Sequence, residues 1–337
     1  MKEETVSGIL PPENRQEDHS EMQLPPMVIL TGPTAVGKTH LSIALAKAAG
    51  GEILSADSMQ VYKYMDIGSA KITREEMQGV PHHLVDVLYP WEPFNVVTFQ
   101  KMCKEALRGI YERGHLPIVV GGTGFYIQAL LRDIDFTENE EDNTYREELQ
   151  QIAAKQGCAV LHRMLSEVDP KAAEEIHENN IKRTIRALEF YHLTGERISE
   201  HNESERQRER AYNACYFVLN DDRAKLYAKI EARVDEMMRM GLLEEVQKLK
   251  EMGCKSDMVS MQGLGYKEIL DHLDGKCTLE EAVSRIKLET RHFAKRQLTW
   301  FRREQDVIWL DKGLFEYDEE KILERMLNDM KKQGIQK

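Results

Sequence analysis

The octapeptide Gly32-Pro33-Thr34-Ala35-Val36-Gly37-Lys38-Thr39 has the spacing Gly-x-x-x-x-Gly-Lys-Thr and follows the apolar run Met27-Val28-Ile29-Leu30. A short apolar run that ends at glycine predicts a buried strand. From Thr39 to Ala49 the helical spacing places Leu41, Leu45 and Ala48 on one face, and Gly50-Gly51 supplies a stop. Strand, glycine loop and helix in that order form a phosphate cradle. The loop N–H groups and the helix N-terminus face an anion, Lys38 neutralises its oxygens, and the Thr39 hydroxyl is placed to ligate Mg²⁺.

Further strands are expected at Ile53-Leu54-Ser55, at Leu116 to Val120 and at Tyr216-Phe217-Val218-Leu219, with a last one at Val307-Ile308-Trp309-Leu310. The stretch Thr98 to Arg113 between the second and third strands is amphipathic and helical. Strands alternating with helices imply an α/β fold, a P-loop parallel sheet with helices on both faces. Residues 135–210 are highly charged and show helical signals with no strand, so they read as a helical insertion into a core made of 25–134 and 211–312. Two long helices, Arg223 to Met252 and Leu279 to Arg303, are expected in the second half, and 313–337 reads as one C-terminal surface helix. Residues 1–24 are acidic, contain proline and lack an apolar h-region, which fits a mobile arm and not a secretory signal.

The chain has 337 residues, of which 41% are hydrophobic and 31% charged, so a sizeable core is available. No apolar run approaches the ~18 residues of a membrane span. The five cysteines are scattered and form no Cys-x-x-Cys pair. That disfavours a disulfide framework or zinc site and fits a reducing cytoplasm. A net charge of −12 argues against a nucleic-acid partner only as an average, since binding depends on where the cations sit.

The loop specifies phosphate, not hydrolysis. A P-loop NTPase carries a second apolar strand ending in an acid that holds magnesium. The strand Ile118-Val119-Val120 instead runs into Gly121-Gly122-Thr123-Gly124, and His83-Leu84-Val85-Asp86 is a weaker candidate. Asp57, just past Ile53-Leu54-Ser55, occupies the carboxyl end of a strand, where α/β folds place ligands. It suits a general base, but the same position suits a helix N-cap, and its distance from the loop also resembles that of a ribose-binding acid.

Three further stretches, Met65-Asp66-Ile67-Gly68-Ser69-Ala70-Lys71, Val120-Gly121-Gly122-Thr123-Gly124-Phe125-Tyr126 and Ala294-Lys295-Arg296-Gln297-Leu298-Thr299-Trp300-Phe301-Arg302, join the P-loop and Asp57-Ser58-Met59-Gln60. Together, from about Pro26 to Leu310, they closely resemble the bacterial tRNA dimethylallyltransferases, also called tRNA isopentenyltransferases. The resemblance implies transfer of a five-carbon group from dimethylallyl diphosphate to N6 of the adenosine immediately 3′ of the anticodon, with diphosphate leaving. It implies Asp57 as the base, Lys38, Thr39 and Mg²⁺ on the diphosphate, and Arg233 as a diphosphate-contacting arginine; without it, Arg233 reads as a solvated charge on a long helix. The implied tRNA contacts are Asp57, Ser58, Met59, Gln60, Thr123, Arg146, Lys182, Arg183, Thr184, Ile185, Arg186, and the run Met261, Gln262, Gly263, Leu264, Gly265, Tyr266.

Lys182, Arg183 and Arg186 cluster within about one helical turn, and Arg291, Lys295, Arg296, Arg302 and Arg303 form a run with no acid among them. Either run alone could be a solvated helix face; two in an acidic chain favour tracking of RNA phosphates. Gln262 and Tyr266 suit reading or stacking on a displaced base, or else a tight glycine turn closed by a buried tyrosine. The partners expected are thus the tRNA anticodon stem-loop and dimethylallyl diphosphate, with no membrane, for a protein working as a monomer. A prenyltransferase acting on free adenylate is the nearest alternative, because it needs the same loop and base but neither the insertion nor the basic runs. A P-loop small-molecule kinase, using the loop for ATP, is the alternative from another class.

Overall fold

The computed structural model describes residues 24–136 and 144–335. The expected arm therefore lies outside the described residues except for Leu24, as do the start of the expected insertion and the last two residues of the tail. The elements run β1 (Pro26–Thr31), α1 (Lys38–Ala49), β2 (Gly51–Ser55), β3 (His82–His83), α2 (Val96–Glu112), β4 (Leu116–Gly121) and α3 (Gly124–Leu131). Five helices follow without a strand: α4 (Thr144–Gln156), α5 (Cys158–Val168), α6 (Pro170–Glu175), α7 (Ile181–Thr194) and α8 (Ile198–Gln207). The chain then returns through β5 (Asn213–Asn220), α9 (Arg223–Met240), α10 (Leu242–Glu251), α11 (Tyr266–Leu273), α12 (Leu279–Phe301), β6 (Ile308–Asp311) and α13 (Glu319–Lys332).

The six strands are all parallel, in the order β3-β2-β4-β1-β5-β6. The central strand β1 is buried on both faces from Met27 to Thr31, as expected of a parallel strand covered by helices. Its alternate side chains feed two cores. Met27 and Ile29 join Phe99, Val119, Tyr216 and Ile269 on one side, while Val28 and Leu30 join Leu41, Leu45, Phe217 and Met326 on the other. Helices α4 to α8 surround a third, smaller core that includes Leu149, Leu161, Leu165 and Leu188.

Four details depart from the sequence reading. Ala48 is exposed, and the buried face of α1 is made by Leu41, Ser42, Ile43, Leu45 and Ala46. The single long helix expected from Arg223 to Met252 is two, broken at Gly241 in the left-handed region at φ 102°, which ends α9 and starts α10 at a new angle. A helix the sequence reading did not mark, α11, follows the glycines of Gly263 and Gly265. The tail helix α13 buries Ile322, Met326 and Met330 in the second core, so it completes the sheet's covering layer.

Candidate active site

The carboxyl ends of β1, β2 and β4 converge on one cleft, as ligand sites in parallel sheets do. At its floor, Gly32 has φ 145°, and a Cβ there would collide with the Leu219 carbonyl oxygen of β5. The loop then turns through Ala35 at φ 62° and Gly37 at φ 99° into α1. The Lys38 ammonium folds back under the loop, donating to the Gly32 and Pro33 carbonyl oxygens at 3.0 and 2.9 Å. Burial pulls its pKa down to about 8, opposed by the Asp57 carboxylate and reinforced by the Arg233 guanidinium. Those three charged groups therefore share one electrostatic environment.

Asp57 follows β2. One carboxylate oxygen accepts hydrogen bonds from the Met59 N–H at 2.8 Å and the Gln60 N–H at 3.3 Å, which fixes the side chain against its own turn. Its other oxygen has no hydrogen-bond partner among the described residues. The capping and catalytic readings of this residue are thus compatible: one oxygen orients, the other is available. Arg233 projects from α9, and burial lowers its pKa while Asp57 raises it. Among the described residues its guanidinium makes no hydrogen bond or ion pair. A half-buried guanidinium without a protein partner invites an anion.

The cleft has two lobes that share Thr34, Asp57, Arg233 and Gln297. The first, of about 550 Å³, is lined by Gly37, Lys38, Thr39, Gln60, Lys229 and Gly122 among others. The second, of about 360 Å³, is lined by Ser58, Met59, Thr123, Gln262, Gly263, Leu264 and Arg296, with Met237, Ile286 and Phe293 as apolar wall. The first lobe therefore brings Lys38, Lys229 and Arg233 together with the phosphate loop, while Asp66, Glu76 and Glu236 also line it; Met237 and Phe293 line both lobes, and Ile286 lines the second.

Gln297 ties the lobes together. Its Oε1 accepts from the Thr34 N–H at 2.9 Å and its Nε2 donates to the Gly122 carbonyl at 2.9 Å. A Cβ on Gly122 would collide with that same amide nitrogen, so the glycine just after β4 admits α12, while Gly121 at the strand's end admits the Ala56 backbone. Sequence reading quoted Gln297 in a motif without giving it a role. Replacing it with alanine strands a loop N–H and a carbonyl, each of which costs about 1–3 kcal/mol when buried unsatisfied. Gln297→Ala is expected to lower the thermal midpoint and raise the KM for the phosphate substrate roughly tenfold; steady-state kinetics beside a melting curve checks both.

Lys229 and Met237 were also missed. They lie four residues either side of Arg233 on α9, a helical spacing that puts all three on one face. The Lys229 ammonium is held at 2.6 Å by Asp221, the residue after β5, which also accepts from the Tyr317 hydroxyl at 3.1 Å. Asp86, the weaker candidate for a magnesium acid, is paired with Lys71 at 2.6 Å and does not line the cleft.

The other residues named from sequence fall into distinct places. Thr123 lines the second lobe at the start of α3. Met261 is buried, and Tyr266 is buried with its hydroxyl donating to Glu245 at 2.8 Å and accepting from the Ser69 N–H at 3.1 Å. Tyr266 therefore has no ring face open to a base, and its place is the buried tyrosine of a glycine turn. Gly265 caps α11, its N–H bonded to Glu268 at 2.9 Å. On α7, Lys182 and Arg183 are exposed, Arg186 is half-buried, and Thr184 and Ile185 are buried in the third core's helix. Arg146 forks onto Glu189 at 2.7 and 3.0 Å. In the basic run of α12 and its end, Lys295, Arg296, Arg302 and Arg303 are exposed, while Arg291 pairs with Glu231 at 2.8 Å.

No group of three or more His, Cys, Asp or Glu side chains among the described residues is arranged to hold a metal ion. Thr39 lines the first lobe at the start of α1.

The fold and cleft define a P-loop α/β protein whose phosphate loop opens beside Asp57 and Arg233, with β4 ending in glycine and not in an acid. The family model described as IPP transferase matches residues 60–304, and one described as Isopentenyl transferase matches residues 25–86. The chain belongs to the tRNA dimethylallyltransferase, or IPP transferase, family. The tRNA dimethylallyltransferase of Lachnoclostridium phytofermentans is 62% identical over 87% of this chain and 94% of that one. The same-named protein of Carboxydothermus hydrogenoformans is 49% identical over 90% and 96%. Among solved structures, the full-length tRNA isopentenylpyrophosphate transferase of Bacillus halodurans superposes with a TM-score of 0.69 at 43% identity, covering 93% of this chain and 98% of that one. A eukaryotic dimethylallyltransferase acting on tRNA gives a TM-score of 0.73 at 31% identity, covering 85% and 74%.

Proposed function

We propose that this protein transfers the dimethylallyl group of dimethylallyl diphosphate to N6 of the adenosine immediately 3′ of the anticodon in tRNA. The observation that carries the reading is the meeting, at Asp57 and Arg233, of a lobe built on the phosphate loop with Lys38 and Lys229 and a second lobe lined by Ser58, Met59, Gln262 and Ile286. The diphosphate enters the first lobe, against the N–H groups of Thr34 to Thr39, Lys38, Lys229 and Arg233. The flipped adenine enters the second, since a base stacked in an anticodon loop must be turned out before its N6 is reached.

The reaction forms the N6–C1 bond and breaks the C1–O bond to diphosphate. Asp57 takes the N6 proton with its free oxygen. Lys38, Lys229 and Arg233 balance the negative charge that builds on the leaving group, in a site where fixed cations act without reorganising. The Thr39 hydroxyl would hold Mg²⁺, which would supply additional charge neutralisation to the diphosphate. The helical stretch of 135–210 is proposed as the tRNA-binding insertion, with Lys182, Arg183 and Arg186 tracking backbone phosphates. Ser58, Met59, Gln60, Thr123 and Gln262 to Leu264 hold the base and its neighbours, with Met261, Gly265 and Tyr266 shaping that turn from behind.

The full-length match to tRNA-modifying relatives and the basic surfaces favour tRNA over free adenylate as acceptor. The strand end at Gly121-Gly122, where a kinase would carry its magnesium acid, disfavours ATP hydrolysis. Incubation with labelled dimethylallyl diphosphate, unmodified tRNA, AMP and ATP tests the reading. Label in tRNA, located by mass spectrometry at the adenosine beside the anticodon, is the expected result, and label in free nucleotide or consumption of ATP overturns it. Affinity for tRNA should fall steeply with added salt, by a log–log slope of about 0.7–0.9 per phosphate contacted. A flat salt titration would remove the basic residues of α7 and α12 from the interface.

A further inference from the structure

Outside the cleft, three aromatic side chains stand in solvent together: Tyr64, Tyr89 and Trp91 are 42%, 37% and 49% exposed. The rings of Tyr89 and Trp91 are parallel within 6° at a centroid distance of 5.0 Å, and Tyr64 lies 6.2 Å from Tyr89. The Lys63 ammonium sits 4.0 Å from the Tyr89 ring centroid and that of Lys248 5.9 Å from Tyr64. An ordered, parallel aromatic pair flanked by lysines matches the surface that takes up unstacked nucleobases, where ring faces stack and cations meet the phosphates.

The backbone that carries the Tyr89–Trp91 pair is tied into a turn. Trp91 lies between Pro90 and Pro93 in a turn closed by the Glu92 N–H to the Tyr89 carbonyl at 2.9 Å and the Tyr89 N–H to the Glu92 carboxylate at 2.5 Å. Tyr64 has φ 65°, a backbone conformation that disfavours an aromatic residue. Rings already stacked on each other at the surface lose less freedom on contact than separate ones.

The cluster is also continuous with the lip of the second lobe. The buried Ser260 hydroxyl donates to the Pro90 carbonyl at 2.6 Å, which places Trp91 one residue from that bond and the lobe-lining Gln262 two residues from it. On the other side Tyr64 lies seven residues along from Asp57, and Lys63 and Val87 are stitched to one sheet of backbone bonds with Leu88 and Val61.

We propose that Tyr64, Tyr89 and Trp91, with Lys63, form a stacking platform for an unpaired anticodon-loop base of the tRNA other than the adenosine being modified. The inference rests on the proposed tRNA reaction. The platform anchors the loop beside the cleft while the target base turns inward, so it contributes to tRNA binding and not to the chemical step.

Full-length Trp91→Ala, Trp91→Phe and Lys63→Gln variants test this. Trp91→Ala should weaken tRNA binding and raise the KM for tRNA roughly 5- to 100-fold. Its kcat at saturating tRNA, its KM for dimethylallyl diphosphate and its thermal midpoint should match the parent. Trp91→Phe should restore most of the affinity, and Lys63→Gln should weaken binding and flatten its salt dependence. Trp91 is one of three tryptophans, with Trp300 and Trp309, so the fluorescence quenched by tRNA in the parent should be lost in Trp91→Phe. Parent-like tRNA affinity in Trp91→Ala, or an equal quench in Trp91→Phe, overturns the platform and leaves this face to a protein partner. A parent that binds tRNA without prenylating it would instead overturn the proposed reaction.

Discussion

Asp57→Asn should bind both substrates nearly as well as the parent and turn over about 10²–10⁴-fold more slowly, the usual contribution of a positioned general base. The amide keeps an oxygen for the Met59 and Gln60 N–H groups, so the turn after β2 survives and the comparison isolates proton transfer. Asp57→Ala removes that cap as well, and should lose stability and turnover together. Rapid-quench single-turnover measurement with excess enzyme gives the chemical rate directly. A chemical rate in Asp57→Asn within a few-fold of the parent would assign the proton to another acceptor.

The second large effect lies in the phosphate lobe. Arg233→Ala should lower kcat/KM by about 10²–10³-fold, in line with removal of one preorganised charge-stabilising group. Because this guanidinium makes no hydrogen bond or ion pair among the described residues, the thermal midpoint should stay nearly level, in contrast to Gln297→Ala. Lys38 adds a pH signature. Its pKa in the free protein is drawn down to about 8, whereas the diphosphate binds to the ammonium. Above about pH 8 the site must take up a proton to bind, so the KM for dimethylallyl diphosphate should climb toward tenfold per pH unit. The same depression has the opposite consequence for folding. Between about pH 8 and the unfolded value of 10.5 the unfolded chain carries the extra proton, so this group adds stability as pH rises through that window. Lys38→Met should abolish both trends; a pH-independent KM in the parent would show that Lys38 stays charged throughout.

The parallel core was legible because its signals are local. Met27 to Leu30, Ile53 to Ser55, Leu116 to Val120 and Tyr216 to Leu219 are apolar runs that only a doubly covered strand can satisfy, and the glycine spacing set the first turn. Gly241 escaped notice because one glycine in a helical pattern can equally be tolerated or break the helix, and only packing decides. Asp57 and Lys38 could be named from position along the chain. Gln297 could not be given a role, since its hydrogen bonds span more than 170 and 260 residues of sequence. Lys229 was readable from its helical offset to Arg233, but its partner Asp221 was not. Tyr266 illustrates the converse: an aromatic among glycines suits an open stacking face or a buried hinge, and burial is a property of the whole fold.

One consequence of α12 concerns how the two substrates sense each other. Gln297, near its C-terminal end, fastens the phosphate loop to the loop after β4, and Arg296 beside it lines the second lobe. Occupancy of either lobe that steadies this helix lowers the entropic penalty of filling the other. Such a linkage is reciprocal by thermodynamic necessity. The factor by which bound diphosphate tightens tRNA must equal the factor by which tRNA tightens diphosphate, and Gln297→Ala should shrink both factors together.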